Sequence, residues 1–453
     1  MRLEVYCQDE MAGWLEHDPD NNLFALSYAP SWHAQPLAYP LSPHLPLDPV
    51  EGQSAEAHSA IVRQFFENLL PEGTALDDAA AANRLSKSNL VGLMLALGKE
   101  TAGALRIQLG RDATDGEMAV TPIEPEQKYR HLSPEELSER IRARPAMPFS
   151  VWDGKVRLSI AGFQDKIAVL KTDEGWHLAE GRGLASTVIL KPEPINPRLA
   201  GLTTNEFFCM RLALHAGLPV ANVRLVHVPE PVLEITRFDR ETTANGILRR
   251  HVVDGCQALG ISVGMKYERP YGDTKEVRHI RDGASLPRLF GLLDITNRPA
   301  AQRLALLRWA LFQILVGNAD AHAKNLSFFV SAIGTYLTPA YDVVCTLAYA
   351  DSQIDDNFAM AIGDAFTEGE LTAYEWAQFA ANCRLSPRLV SIEMLNLVHR
   401  IRDRLPVVRA EVVAAGGQAP VVQRVVDVVN RMCLRHEQLA RLIVEVDTDQ
   451  FPD

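Results

Sequence analysis

The stretch Gly317-Asn318-Ala319-Asp320-Ala321-His322-Ala323-Lys324-Asn325 places an aspartate five residues before an asparagine, and a predicted hairpin over Leu326 to Thr338 leads from it to Tyr341-Asp342. Phosphoryl transfer calls for a carboxylate that orients or deprotonates the attacking hydroxyl, an amide oxygen on Mg²⁺, and a second carboxylate on Mg²⁺. Asp320, Asn325 and Asp342 meet that need in this order, the first as the catalytic group and the other two as metal ligands. Read alone, the D-x-x-x-x-N spacing is weak, since Asp320 could cap a loop and Asn325 could start a strand. Three polar groups in so apolar a setting are, however, costly without a purpose. His322, inside this loop, is expected to brace Asp320 or Asp342 by a hydrogen bond rather than to bind metal.

Upstream, Ser159-Ile160-Ala161-Gly162-Phe163-Gln164-Asp165-Lys166 lies between two predicted strands, and its small residues would let backbone N–H groups close over phosphates. It has a single glycine and matches neither a Walker A loop nor a G-x-G-x-x-G loop, so an ordinary hairpin turn explains it as well. The run Ser186 to Pro192 ends a buried-type strand in Lys191, as the ATP-binding lysine of a kinase does, although a strand-end lysine is commonly a solvated tip. Glu206, on a helix expected over Thr204 to His215, is the candidate to pair with Lys191; a plain surface glutamate is the alternative.

Around these motifs the chain changes character twice. Arg2 to Gln8 and Leu23 to Tyr28 read as antiparallel strands separated by the turn cluster His17 to Asn22. Ala55 to Leu70 and Ser86 to Leu97 have helical spacing, so residues 1–108 form a small α+β unit. Gly110 to Tyr129, polar with two prolines, suits a linker, and Ser133-Pro134-Glu135-Glu136 is a helix start with Ser at the N-cap and Glu at N3. Short β-type runs then follow: Val156 to Ile160, Ile167 to Lys171, Trp176 to Ala179, Thr187 to Lys191, Val223 to Val228 and Val232 to Thr236. Beyond Pro287 the pattern is mainly helical. The expected division is 1–108, a linker and short helix over 109–147, a strand-rich nucleotide-binding part over 148–240, and a helical catalytic lobe over 241–453. The fold class is α+β.

The 453 residues are a soft prior for two or three domains at ~150 residues each. With 47% hydrophobic and 23% charged residues the chain is neither disordered nor low-complexity. Its net charge of −12 speaks against a general grip on nucleic acid by this chain alone. The six cysteines are scattered without a C-x-x-C pair, so neither a disulfide framework nor a cysteine zinc site is expected, and the histidines show no H-x-x-x-H spacing. The start of the sequence lacks the pattern of a signal peptide, and the most apolar stretch, Leu304 to Gly317, is interrupted by Arg308, so a cytoplasmic protein with no membrane contact is expected.

Taken together, SIAGFQDK, STVILKP, NEFFCMRLA, RFDR, CQALG, GNADAHAKNLS and PAYDVVCT, in this order, resemble the signature set of the HipA family of serine/threonine kinase toxins. FFENLLPEG (Phe65 to Gly73) and GLMLALGKETAGALRI (Gly92 to Ile107) are similar to that family's N-terminal subdomain. The resemblance implies a protein-kinase-like, two-lobed fold that uses ATP and Mg²⁺. It assigns catalysis to Asp320, Mg²⁺ ligation to Asn325 and Asp342, and contact with ATP to Lys191. The phosphate loop spans Ser159 to Lys166, with Ala161, Gly162, Phe163, Gln164 and Lys166 as cofactor-binding residues. His322 and Lys324 join the cofactor-binding set, and Thr236 to Phe238 is the hinge that meets adenine.

By the same resemblance Ser159 is the autophosphorylation site that silences the kinase. HipB, a small helix-turn-helix antitoxin, is the implied partner, DNA is met only through it, and an aminoacyl-tRNA synthetase is the implied class of substrate. Two departures stand out. His251-Val252-Val253-Asp254 replaces a common His-Gln-Glu-Asp run, and Phe163 makes the phosphate loop bulkier. Two rival readings remain at this point: a catalytically silent co-repressor acting through a DNA-binding partner, and a small-molecule kinase of related fold.

Overall fold

A computed structural model describes residues 1–110, 128–153, 155–156, 164–181, 183–352, 356–447 and 451, the side chains of 350–352 excepted. The chain divides into two units, one made of Met1–Pro192, Val226–Val253 and Phe329–Gly334, the other of Glu193–Leu225, Asp254–Phe328 and Thr335–Asp453.

The first unit is rich in strands. Its N-terminal sheet runs Leu23–Tyr28, Glu10–Asp18, Arg2–Cys7, Leu105–Leu109, all antiparallel, with Val5 opposite both Gly13 and Ile107. Leu3, Val5 and Cys7 are buried, the period-2 face a strand needs. The middle strand Glu10–Asp18 escapes sequence reading because Met11-Ala12-Gly13 interrupts the alternation. The helix Ala55–Glu67, capped by the Ser54 side chain on the Ala57 N–H, lies over the edge strand. There Ser59 Oγ accepts from the Phe24 N–H at 2.8 Å and His58 Nε2 from that of Leu26 at 3.3 Å, which satisfies edge groups that would otherwise seek another strand.

The second sheet, of six strands, includes Pro231–Thr236, Val188–Pro192, Ile167–Thr172, Gly175–Glu180 and Lys128–Leu132, in that order. Its core joins Ile167, Val169, Val188, Leu190 and Val232 to Phe149 and Trp152. Residues 128–129, assigned from sequence to a linker, belong to its edge strand. Four of that strand's five residues are exposed, so its composition looks like a loop's. The helix start at Ser133 is as expected, with Ser133 Oγ accepting from the Glu136 N–H at 3.2 Å, but the Glu136 carboxylate turns to Arg130 instead of closing the capping box. Val252 and Val253 are buried in the strand Val252–Asp254, where apolar side chains suit the packing.

The second unit is mainly helical. Leu202–His215, Pro299–Leu315, Ala373–Asn382, Pro387–Ala414 and Ala419–Ile443 share a core that includes Met394, Leu397, Ile401, Val425, Val429 and Met432. Each long helix begins with proline in its first turn or a side-chain cap, except Leu202–His215. There Glu193, nine residues upstream of Leu202, stands in as a remote cap: Oε1 accepts from the Gly201 N–H and, at 3.1 Å, from the Leu202 N–H, while Oε2 takes the Thr203 hydroxyl. A carboxylate against four unpaired N–H groups and the positive end of the helix is favourable on both counts. Arg308, which breaks the apolar run of Pro299–Leu315, pairs with Glu393 at 2.7 Å. Among the described residues no helix is long and apolar enough to cross a membrane.

Candidate active site

Pro299–Leu315 ends in Gly317, whose φ of +68° and close approach to Val428 (a Cβ would lie 2.8 Å from its Cγ1) leave room for glycine alone. The chain then enters the predicted loop, which is pinned at successive residues. The Asp320 N–H donates to Asn318 Oδ1 at 3.1 Å, and Asn318 Nδ2 donates to Gln313 Oε1 on the helix at 2.8 Å. The Ala319 N–H donates to Thr346 Oγ1 at 2.7 Å, and the Ala319 carbonyl accepts from Ala359 at 2.7 Å. A single 3-10 turn, Ala323–Asn325, separates Asp320 from Asn325.

The Asp320 side chain is exposed, and Tyr267 Oη donates to its Oδ1 at 2.8 Å. Sequence reading assigned the bracing of a carboxylate to His322. The structure gives that task to Tyr267, against whose ring His322 packs edge-on at 5.1 Å. The reason is depth: His322 is buried, and burial with Lys266 nearby pushes its pKa down to about 3, so the ring is neutral, while Nδ1 has no hydrogen-bond partner among the described residues. Tyr267 carries no spacing signal, since it lies 53 residues before Asp320.

Asn325 and Asp342 lie side by side. Asn325 Nδ2 donates to Asp342 Oδ2 at 2.8 Å, which turns the amide so that its buried Oδ1 is left without a hydrogen-bond partner among the described residues. Asp342 holds φ at +57°, a costly conformation for a residue with a Cβ that aims its carboxylate at Asn325. An amide oxygen and a carboxylate side by side are the hard donors a small divalent cation takes, and an orphaned buried oxygen is what such an ion would satisfy. No cluster of three or more His, Cys, Asp or Glu suited to a metal occurs among the described residues.

Lys324, counted from sequence among the cofactor-binding residues, has a side chain only 2% exposed, and its ammonium sits on Asp254 Oδ2. Asp254 is at the same time the N-cap of Gly255–Leu259, in a capping box with Gln257. A Cβ on Gly255 would lie 2.5 Å from the Ala323 carbonyl, so the residue just before the CQALG segment is small to let the loop through. Tyr341 supports the same turn from the other side, its hydroxyl donating to the Lys324 carbonyl at 2.8 Å.

In the strand-rich unit, Lys191 lies on Val188–Pro192 opposite Leu233 and is buried, as is Lys166. Gln164 Nε2 donates to the Pro192 carbonyl at 3.3 Å. Glu206, in the helical unit, is fully buried. Ser159, Ala161, Gly162 and Phe163 lie outside the described residues. Thr236 ends its strand exposed and Phe238 is half-buried against Phe329. Between them Arg237 points inward to a cluster that sequence reading missed. Its guanidinium meets Asp239 at 2.7 Å, Ser186 Oγ at 2.8 Å and Glu100 at 3.4 Å, and Glu100 also holds Arg240 and Arg249 at 3.3 and 3.1 Å. Burial alone would raise the Glu100 pKa, but the three guanidinium groups bring it down to about 2. The KET and RFDR motifs are thus two halves of one ion network.

An aspartate on a pinned loop, an asparagine one turn later and a second aspartate against it, in an α+β chain with a strand-rich and a helical unit, define an enzyme of the protein-kinase class. Such enzymes work with ATP and a divalent cation. Residues 3–108 match the HipA N-terminal domain and residues 158–405 the HipA-like C-terminal domain. The serine/threonine-protein kinase toxin HipA of Shewanella oneidensis is 39% identical over 416 residues, covering 91% of this chain and 89% of that protein. The putative kinase Y4mE of Sinorhizobium fredii is 35% identical over 399 residues, covering 87% and 89%. In a solved complex of Shewanella oneidensis HipA, HipB and operator DNA, one chain superposes with a TM-score of 0.84 at 36% identity, covering 98% of this chain and 100% of that one. The chain belongs to the HipA family, and its fold is the kinase-like fold of that family.

Proposed function

We propose that this protein is the kinase toxin of a HipA/HipB-like pair, transferring the γ-phosphoryl group of ATP to a serine or threonine hydroxyl of a protein. The observation that carries the reading is the Asn325–Asp342 pair, whose Asn325 Oδ1 has no hydrogen-bond partner among the described residues, one turn from the exposed Asp320 carboxylate. Asp320 orients the incoming hydroxyl and accepts its proton. Asn325 Oδ1 and the Asp342 carboxylate would hold Mg²⁺, which when bound spreads the charge of the phosphates. Lys191 meets the phosphates, the segment Ser159 to Lys166 closes over them with Gln164 and Lys166 at its end, and Thr236 to Phe238 meets adenine. Lys324 serves from behind the loop, and His322 stays neutral beside it.

Regulation follows the same reading. Autophosphorylation of Ser159 adds roughly −1.5 to −2 charges beside the triphosphate and opens the phosphate loop. A HipB-like helix-turn-helix protein restrains the kinase and brings it to DNA, which the solved relative bound to HipB and operator supports by likeness. A translation protein of the aminoacyl-tRNA synthetase class in the cytoplasm is the proposed target. Incubation with labelled ATP and Mg²⁺ tests the activity. Asp320→Asn should keep the fold and nucleotide binding but lose transfer by a factor of 100 or more, on the order expected for a general base; near wild-type turnover in that variant would sink the assignment.

A further inference from the structure

Asn205, the fourth residue of the helix Leu202–His215, has no catalytic part assigned above, yet it is fully buried and polar. Its amide is turned mainly to the backbone of one distant residue, with the Cys209 thiol also donating to Oδ1 at 3.5 Å. Nδ2 donates to the Cys345 carbonyl at 2.9 Å, and Oδ1 accepts from the Cys345 N–H at 2.8 Å. Two antiparallel hydrogen bonds from one side chain reproduce the pairing a neighbouring strand would give, so they fix both the position and the rotation of the peptide at Cys345. Cys345 is three residues past Asp342. The next residue, Thr346, accepts from the Ala319 N–H at 2.7 Å and donates to the Gly317 carbonyl at 3.2 Å, and the Leu347 N–H donates to that carbonyl at 3.0 Å. Residues 342–347 therefore form a strip tied to the helix at Cys345 and to the catalytic loop at Thr346. A left-handed backbone at a residue other than glycine persists where its surroundings over-determine it, and this strip leads directly into Asp342.

We infer that Asn205 is a positioning residue for phosphoryl transfer, holding the Asp342 carboxylate at its metal-binding orientation through Cys345. The inference rests on the reading of Asp342 as a metal ligand and adds a residue to it. Partners one step behind a metal ligand typically alter metal affinity or activity by about 10–100-fold when removed. Asn205→Ala should raise the Mn²⁺ concentration that half-saturates the protein with a non-hydrolysable ATP analogue, read by the loss of free Mn²⁺ signal in electron paramagnetic resonance, by about tenfold. Metal-free protein should show faster amide exchange over residues 342–347 with exchange in the Arg2–Cys7 sheet unchanged.

Thr346→Val cuts the other tie and gives the converse: kcat lower, Mn²⁺ half-saturation within twofold of wild type. It carries the test should Asn205→Ala fail to fold, because equal losses in both parameters there would mean the strip has no separable ends and would overturn the inference. Asp342→Asn is the control. If it keeps wild-type metal binding, the reading of Asp342 itself fails. If it loses metal while a folded Asn205→Ala binds Mn²⁺ as wild type does, the positioning role of Asn205 alone is refuted.

Discussion

Replacing Glu100 with glutamine removes one negative charge from a cluster in which three guanidinium groups face two carboxylates. The side chains of Arg237, Arg240 and Arg249 are 2%, 1% and 10% exposed, and Asp239, at 7%, would be left as their sole carboxylate in the cluster. Glu100 normally sits at 4.5 as a free carboxyl and at about 2 in the folded chain. At about 1.4 kcal/mol per pH unit that gap is worth about 3 kcal/mol. Its side chain is 32% exposed, so solvent screening reduces the figure, and about 2 kcal/mol is expected at pH 7. For a unit of this size that is a fall in Tm of roughly 4–8 °C.

The pH dependence has a definite sign. A carboxyl whose pKa is lowered by folding stabilises fully above its unfolded pKa and loses that contribution as pH falls toward its folded one. The gap between wild type and Glu100→Gln should therefore be flat from pH 8 to about 5.5 and narrow below 4.5. In 1 M salt it should shrink only in part, because the three guanidinium groups are buried while Glu100 is partly exposed. Urea denaturation followed by tryptophan fluorescence measures it. A gap under about 0.5 kcal/mol at pH 7, or one that widens toward acid, would show that the cluster is neutral in effect and that Arg237 is held between Thr236 and Phe238 by the sheet alone.

Other perturbations separate the parts of the site. Asp342→Ala should lose metal-dependent nucleotide affinity in calorimetry, and unchanged binding would remove Asp342 from the metal. Tyr267→Phe deletes a hydrogen bond to a carboxylate, worth about 1.5–3 kcal/mol, so kcat should fall by roughly ten- to a hundredfold with KM for ATP unchanged; a wild-type kcat would make the contact incidental. Mass spectrometry after incubation with Mg²⁺ and ATP should find phosphate on Ser159, and the modified fraction should bind ATP poorly. An active kinase that leaves Ser159 unmodified would end the self-inactivation reading.

The residues whose partners lie close in sequence were legible from the sequence. Ser133 before Pro134 starts a helix because the cap needs only the N–H three residues on, and one short turn is enough to relate Asp320 to Asn325. Apolar periodicity likewise located the strand Val188–Pro192 and the helix Leu202–His215 to within two residues, because burial of one face is written at a fixed spacing. Nothing local tells that Asn205 will meet a backbone 140 residues away, that Tyr267 will reach Asp320, or that Glu100 will collect an arginine 149 residues on.

A buried polar side chain must find a partner, but which one depends on the closure of the whole chain and not on its neighbours. The same holds for the strand Glu10–Asp18, recognisable only once Arg2–Cys7 and Leu23–Tyr28 flank it. The sequence thus determined which groups are the candidates for phosphoryl transfer. The tertiary structure decided what holds them still, because their supports are hydrogen bonds and ion pairs between segments that only the completed fold brings within 3 Å or so of one another.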